Sequence, residues 1–491
     1  MHRARGRTHR ARVDDLQEKA KAFQVHARTL SMTMNLYDWI VWISGPKFSL
    51  IEGARRSGRA RGGNAMRHLH FAGVLALVAC HSNSNSNSNS SEGVLPGNGG
   101  TESPAPSVEG TLTRGLVVHE WGTFTSVSTS AGTLMQGMHH EEEALPEFVY
   151  ARRKLAFPES DAAGNKGFEA QPVSVTQKLE TPVVYFYSDT VRDVRLKVEF
   201  PKGILSEWYP NAASFGPRLF TAHSPELGFM EWKGKLVPGM AASSFPFVDE
   251  QSVWMPSRRV ASVPIQIGEE KEQFIFYRGL GAFELPFKVQ SSSDQFIDVH
   301  NPSSDVSPSV FLLRVHEGGG AIVELGSLAG GASLSQVPVP IFGKERNLEA
   351  YVTDAQNRIA RALVETGLRT DEARAMVDTW TRSYFKTPGL RLLYVVPRAW
   401  TDRLLPMTIE PTPNELVRTL VGRVEVLLPG EEASVAGLVR DAFAAHKEPT
   451  FVIEKLGRFA EPKLRRAAEL LGTDPATSFC QRAIEDAAAQ P

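Results

Sequence analysis

Val194-Arg-Leu-Lys-Val-Glu-Phe200 decides the fold class of this 491-residue chain. Every second residue is apolar, the period of a strand with one face buried and the other in water. Working outward, short β-rich runs separated by Gly, Pro, Asn and Ser fill the chain from Gly115 to about Pro340. They fall at residues 116–127, 182–187, 228–232, 273–277, 283–289, 296–299, 310–315 and 321–325. Pro286 makes the run at 283–289 an edge strand at best. Glu231-Trp-Lys-Gly-Lys-Leu-Val237 reads as a hairpin, and residues 311–323 as strand, Gly-rich turn and strand. Helix-period stretches are nearly absent. Residues 111–342 are therefore expected to form an antiparallel β-sandwich, either one or two sub-sandwiches, with 311–323 a candidate for the smaller.

Near Glu345 the period changes. Residues 348–365 have helical spacing and end at Gly367, a C′ glycine. Thr370 can cap the next helix, with Asp371 and Glu372 in its first turn, where negative charge suits the helix dipole. Residues 390–396 read as a strand. Pro413 sits where an N1 proline would, which makes 414–427 a helix. Residues 431–446, 450–459 and 461–471 read as three stacked helices. The whole is a β-rich plus α chain, with residues 343–491 an α-rich C-terminal domain.

The other end of the chain carries an address. Met66-Arg-His-Leu-His-Phe-Ala-Gly-Val-Leu-Ala-Leu-Val-Ala-Cys80 has a basic start, a short apolar run and small residues before a cysteine. That is the order of an export signal, and the run is shorter than the roughly 20 apolar residues a membrane span needs. Residues 66–79 are thus a signal peptide. Leu77-Val-Ala-Cys80 resembles the lipobox of bacterial lipoproteins, which implies cleavage before Cys80 and acylation of that residue. Residues 80–110 are Ser, Asn, Gly, Pro and Glu with almost no apolar content, as expected of a disordered tether. His81 is not the aspartate that retains lipoproteins at the inner membrane in some bacteria, which favours the outer membrane. Residues 1–65 are Arg-rich at both ends around an amphipathic 36–43. Against a nucleic-acid-binding or twin-arginine segment we set translation from Met66, since signal peptides sit at the extreme N-terminus.

The net charge of −1 conceals an asymmetry. Residues 1–65 hold 13 of the 54 Lys and Arg but 5 of the 55 Asp and Glu, which leaves 41 basic against 50 acidic residues downstream. With Arg67 removed, the mature chain stands near −10, which argues against nucleic acid as a partner. Of the two cysteines, Cys480 has no partner within the chain once Cys80 is acylated, and reads as a small core residue.

Further blocks resemble a group of exported bacterial proteins of unknown function. They are Val118-His-Glu-Trp-Gly-Thr-Phe-Thr-Ser-Val127, Lys178-Leu-Glu-Thr-Pro-Val-Val-Tyr-Phe-Tyr187, Glu207-Trp-Tyr-Pro210 and Phe276-Tyr-Arg-Gly279, then residues 380–385 and 389–397, Trp400-Thr-Asp402 and Val421-Gly-Arg-Val-Glu425. The resemblance covers roughly residues 115–430. It implies a shared architecture and transfers no catalytic roles.

Two constellations could carry chemistry. His119 with His139, His140 and Glu142 has the side chains that bind zinc or another divalent metal. Glu120 adjoins His119, but neighbours on a strand face opposite ways, so one site cannot take both without a bulge. The competing reading is a strand-end histidine and a solvated acidic loop. Trp208, Tyr209, Trp254 and Arg278 combine aromatic faces with charge, as a glycan or peptide site does, or else fill the core. No G-x-S-x-G elbow is present. Arg391, Arg398, Asp402, Arg423 and Glu425 are expected to form buried ion pairs joining the C-terminal segment to the sandwich. The resulting expectation is a lipid-anchored cell-envelope protein, a binding or structural module, with a metal-dependent hydrolase as the alternative.

Overall fold

Val117–Ser128 is buried at every position, so both of its faces must be covered. Its side chains alternate with the period of a strand. Leu116, Val118 and Phe124 enter one apolar core, and Val117 and Trp121 enter another. The computed structural model describes residues 115–138, 140, 143–152, 174–217, 225–341 and 346–490. Cys80, His139 and Glu142 lie outside them, as do residues 1–65, the signal peptide and the tether.

Among the described residues this strand is central to an eleven-stranded sheet. One face of that sheet packs on a six-stranded and a three-stranded sheet, which contribute Leu196, Trp232, Val289 and Val299 to the shared core. The other face is covered by the helices Leu348–Glu365 and Thr370–Thr379, through Tyr351, Ile359 and Met376. The protein is thus β-rich with several sheets, and its helices lie toward the C-terminus.

The sheets are mixed, which corrects the expectation of antiparallel pairing throughout. Val117–Ser128 runs parallel to Glu415–Val426 over its whole length, with Val117 opposite Glu415 and Ser128 opposite Val426. The latter strand replaces the helix expected at 414–427. Leu416, Leu420 and Val424 recur every four residues, a spacing that fits a helix turn and also alternate positions on a strand. Val417, Thr419 and Val421 between them are β-branched and settle the matter for the strand, where such side chains pack best. Gly389–Val395 is the strand expected there and pairs with Glu415–Val426. The 343–491 segment therefore contributes central strands to the sheet, and its boundary at 342 separates no independent body. All the described residues belong to one compact unit.

Arg192–Phe200 alternates buried and accessible residues, as its sequence requires, and pairs with Gly228–Leu236 over nine positions. The hairpin expected at 231–237 is instead part of that one extended strand. Gly234 is not a turn residue. A Cβ there would sit 2.7 Å from the Ile267 side chain and 2.8 Å from the Gln266 carbonyl oxygen, so glycine permits the neighbouring strand to cross closely. The hairpin of Ser307–His316 and Gly319–Leu328 belongs to the large sheet, not to a smaller second sandwich. At the C-terminus four helices, Pro429–Ala444, Pro449–Leu456, Ala460–Leu471 and Thr477–Ala488, enclose their own core. Cys480 lies in that core, its thiol pushed up to about 11 by burial.

The parallel pair carries an ion pair inside the first core. Glu120 and Arg418 are opposite one another in register. The Arg418 Nε donates to Glu120 Oε2 at 2.6 Å, and the Tyr277 hydroxyl donates to Glu120 Oε1. Burial is the largest influence on the Arg418 pKa and works to lower it, but the charge and hydrogen bond of Glu120, with Tyr277 and Asp402, together hold the guanidinium above its ordinary value. Burial and the same carboxylate push the Tyr277 hydroxyl well up, so it stays a donor. Glu120→Ala removes the carboxylate facing a guanidinium that is 5% exposed. It is expected to destabilise the protein by about 3–5 kcal/mol in urea unfolding, and Glu120→Gln by less.

Candidate functional site

The helix-covered face of the large sheet holds the densest polar chemistry of the described residues. His119 comes first, because strand alternation points it at the Thr370–Thr379 helix, away from Glu120. Its Nδ1 lies 2.8 Å from Glu372 Oε2. Glu372 is fully buried in the first turn of that helix. It also accepts the Tyr187 hydroxyl at 2.7 Å and the Arg369 backbone N–H at 2.7 Å. Burial and the Glu372 charge raise the Tyr187 pKa far above its ordinary value, which fixes the hydroxyl as a donor. The Arg369 guanidinium covers the Tyr187 ring at 3.5 Å.

Further along the same face Thr123, Thr125, Glu180, Tyr384, Arg391, Arg423 and Glu425 form a second network. The Tyr384 hydroxyl lies 2.6 Å from Glu180 Oε2 and 2.9 Å from Thr123 Oγ1. The other oxygen of Glu180 pairs with Arg458 from the C-terminal helical layer. Arg391 and Arg423 converge on Glu425 at 3.0 and 2.6 Å, and Arg423 lies 4.2 Å from the centre of the Tyr384 ring. Arg391, Arg423 and Glu425 are buried and paired as expected, but with one another inside the C-terminal segment, so these pairs do not join it to the sandwich. Arg398 and Asp402 also pair, at 2.8 Å, but in a half-exposed position. A third group adjoins the second. Lys178 donates to the His140 carbonyl at 3.2 Å, and His140 Nε2 lies 3.4 Å from Glu461 Oε2.

Of the expected metal set, His119 and His140 thus meet carboxylates on two different helices, Glu372 and Glu461. Among the described residues no three ligating side chains converge. The expected aromatic surface does not form. Trp208 lies in the first core, Tyr209 and Trp254 lie in the second, and Arg278 is buried with its Nε donating to the Glu180 carbonyl. Trp208, Tyr209 and Arg278 lie on strands covered on both faces and Trp254 opens a short helix packed on the second core, which turns aromatic faces into core. No local pattern marks Glu372, Glu180, Lys178, Tyr384, Arg458 or Glu461, because their partners lie far away in sequence; for His119 and Glu372 the separation is 253 residues.

The accessible chemistry lies elsewhere, on the outward face of the six-stranded sheet. An open groove of about 770 Å³ is lined by Asp193, Arg195, Lys233, Lys235, Gln266 and Glu410, with the bare backbone of Gly234 and Gly268. Arg195 spans it, donating to Glu231 at 2.8 Å and to Glu410 at 3.1 and 3.2 Å. The hydrogen bond from Arg195 pulls Glu231 down to about 2. Five formal charges, Asp193 and Glu410 against Arg195, Lys233 and Lys235, suit a polar ligand.

Burial alone would raise the Glu425 pKa, but the Arg391 and Arg423 charges outweigh it and hold the carboxyl below its ordinary value. A depressed folded-state pKa contributes stability in full above the unfolded value of roughly 4.3, and that contribution is lost as pH falls through the folded value. Glu425→Gln removes the titrating group. The stability difference between wild type and variant, measured by urea unfolding, is expected to be largest near neutrality and to shrink below pH 4.3. A difference independent of pH would contradict this assignment.

No protein-family model matches the sequence, and no curated protein matches it. Among solved structures, the yeast delta-COP-I mu-homology domain is similar at 7% identity over 64% of this chain and 95% of that one, with a TM-score of 0.23. The same domain complexed with a Dsl1 WxWxV peptide is similar at 8% identity over 64% and 96%, with a TM-score of 0.21. Likeness at that level assigns neither fold nor function.

Proposed function

We propose that this chain is a lipid-anchored cell-envelope protein, held at the outer membrane, whose folded body is a binding or structural module for a glycan or peptide of the envelope. The observation that carries the reading is Cys80, placed at the end of a short apolar run and followed by His81 and a Ser/Asn tract. Two features of the body support it. The ionisable residues of the helix-covered face are tied to one another across layers, as in a rigid scaffold. The open groove beside Arg195 offers opposite charges to a polar ligand. The test is covalent: labelled fatty acid should enter the wild-type protein and not Cys80→Ser, and Cys80→Ser should leave the membrane fraction. Wild type without label, or a variant that still sediments with membranes, would overturn it.

A metal-dependent hydrolase is the second reading, and His119 is the observation that favours it. One ring nitrogen held by a buried carboxylate is how metal-binding histidines are usually oriented. The residues that would bind zinc or another divalent ion are His119, His139, His140 and Glu142. Elemental analysis of the purified protein decides it. Stoichiometric metal, lost on His139→Ala or His140→Ala, would favour the hydrolase, and metal-free protein would end it.

A further inference from the structure

The C-terminal helices are joined to the body differently from the two that precede them. Leu348–Glu365 and Thr370–Thr379 give Tyr351, Ile359 and Met376 to the second core and cannot leave it without exposing them to water. The buried apolar residues of Pro429–Ala444, Pro449–Leu456, Ala460–Leu471 and Thr477–Ala488 lie instead in a core of their own. Phe459 is the exception. It sits in the short turn Gly457–Phe459 between the second and third of these helices and joins a small cluster with Val127, Met138 and Leu280 of the body. Among the described residues no other buried apolar side chain beyond Leu428 enters a cluster of the body.

The other named ties across this joint are polar. Arg458 pairs with Glu180. Glu432 accepts the Ser130 backbone N–H at 2.7 Å and its hydroxyl at 3.0 Å, Asp294 accepts the Gly430 N–H at 2.7 Å, and Glu461 meets His140 at 3.4 Å. Even the Phe459 ring carries a guanidinium from each side of the joint, Arg423 of the sheet and Arg458 of the helical layer, both at 5.3 Å from its centre. Such groups regain water when they part, and a polar joint within a chain permits motion that an apolar one forbids. The chain crosses the joint once, just after Leu428, which is fixed in the first core.

We propose that the four C-terminal helices form a lid that swings as one body about residues 428–430, with Arg458 and Phe459 as its latch. Beneath the latch lie Glu180, Tyr384 and Arg423, the Tyr384 hydroxyl 2.6 Å from Glu180 and the Arg423 guanidinium 4.2 Å from the Tyr384 ring centre. Closed, the lid keeps Glu180 and Arg423 buried. Open, it turns a carboxylate, a phenol and a guanidinium toward solvent together, the convergent polar groups that orient a ligand. The network is then a polar-ligand site held shut by a hinged layer. Nothing in this depends on the acyl anchor.

Spin labels read the swing in the full chain with Cys80→Ser. One pair, Thr408→Cys with Ser478→Cys, spans body and lid, and a second, Glu454→Cys with Ser478→Cys, lies within the lid; all three positions are exposed. Cys480 is buried in the lid core, its thiol pushed up to about 11, and stays unlabelled. Breaking the ties with Arg458→Ala and Glu432→Gln should give the spanning pair a second separation, longer by about 10 Å or more, the width of one helix. Roughly a tenth or more of the molecules should show it, while the pair inside the lid keeps its single distance. Glu432→Gln alone leaves Arg458 on Glu180 and should show the same second separation in a smaller fraction; it decides the matter where the double variant does not fold. A spanning distance that these variants leave unchanged overturns the lid. So does a pair inside the lid that broadens together with the spanning pair in Glu432→Gln, since the helices then come apart and do not swing.

Discussion

A carboxylate and a guanidinium face each other across two parallel strands with no water between them, and the layering follows from those strands. A parallel pair in the middle of a sheet is buried on both sides and needs a covering layer on each. The small sheets supply one layer and the helices Leu348–Glu365 and Thr370–Thr379 the other. Glu120 ties Val117–Ser128 to Arg418 and Tyr277 on neighbouring strands of the same sheet, while His119 reaches Glu372 in the helix layer and Thr123 meets Tyr384. Buried polar groups are tolerated there because each residue named has at least one hydrogen-bond partner.

How much of this was legible depended on whether the deciding contact was local. Arg192–Phe200 was readable because one of its faces is wet, so its alternation survives in the sequence. Leu348–Glu365 was readable for the same reason, as a helix with one face on the sheet. Glu415–Val426 was not, since a strand buried on both faces has no polar period to show and its fourfold apolar spacing mimics a helix. Of the polar network, Arg391, Arg423 and Glu425 were visible as charges within apolar strands. Glu372 looked like an ordinary helix-capping acid, and only the tertiary structure gives it His119 and Tyr187. Trp208, Tyr209 and Trp254 were ambiguous by composition, and burial settled them as core.

The same contrast bears on function. Residues 118–127, 178–187, 276–279, 389–397 and 421–425, the blocks quoted from the sequence, supply most of the buried ties: His119, Glu120, Glu180, Tyr277, Arg391, Arg423 and Glu425 all fall within them. The outward-facing chemistry lies apart from those blocks, in the groove beside Arg195.

The pairing of Val117 with Glu415 also sets a clock. Nearly three hundred residues lie between those two positions, and closing so large a loop precedes any reward from the strand contacts it permits. The first strand of the body therefore waits for a partner made almost at the end of synthesis. On the proposed route out of the cell this delay is useful, since a polypeptide that has not yet knitted its middle sheet can still be threaded through a translocation channel.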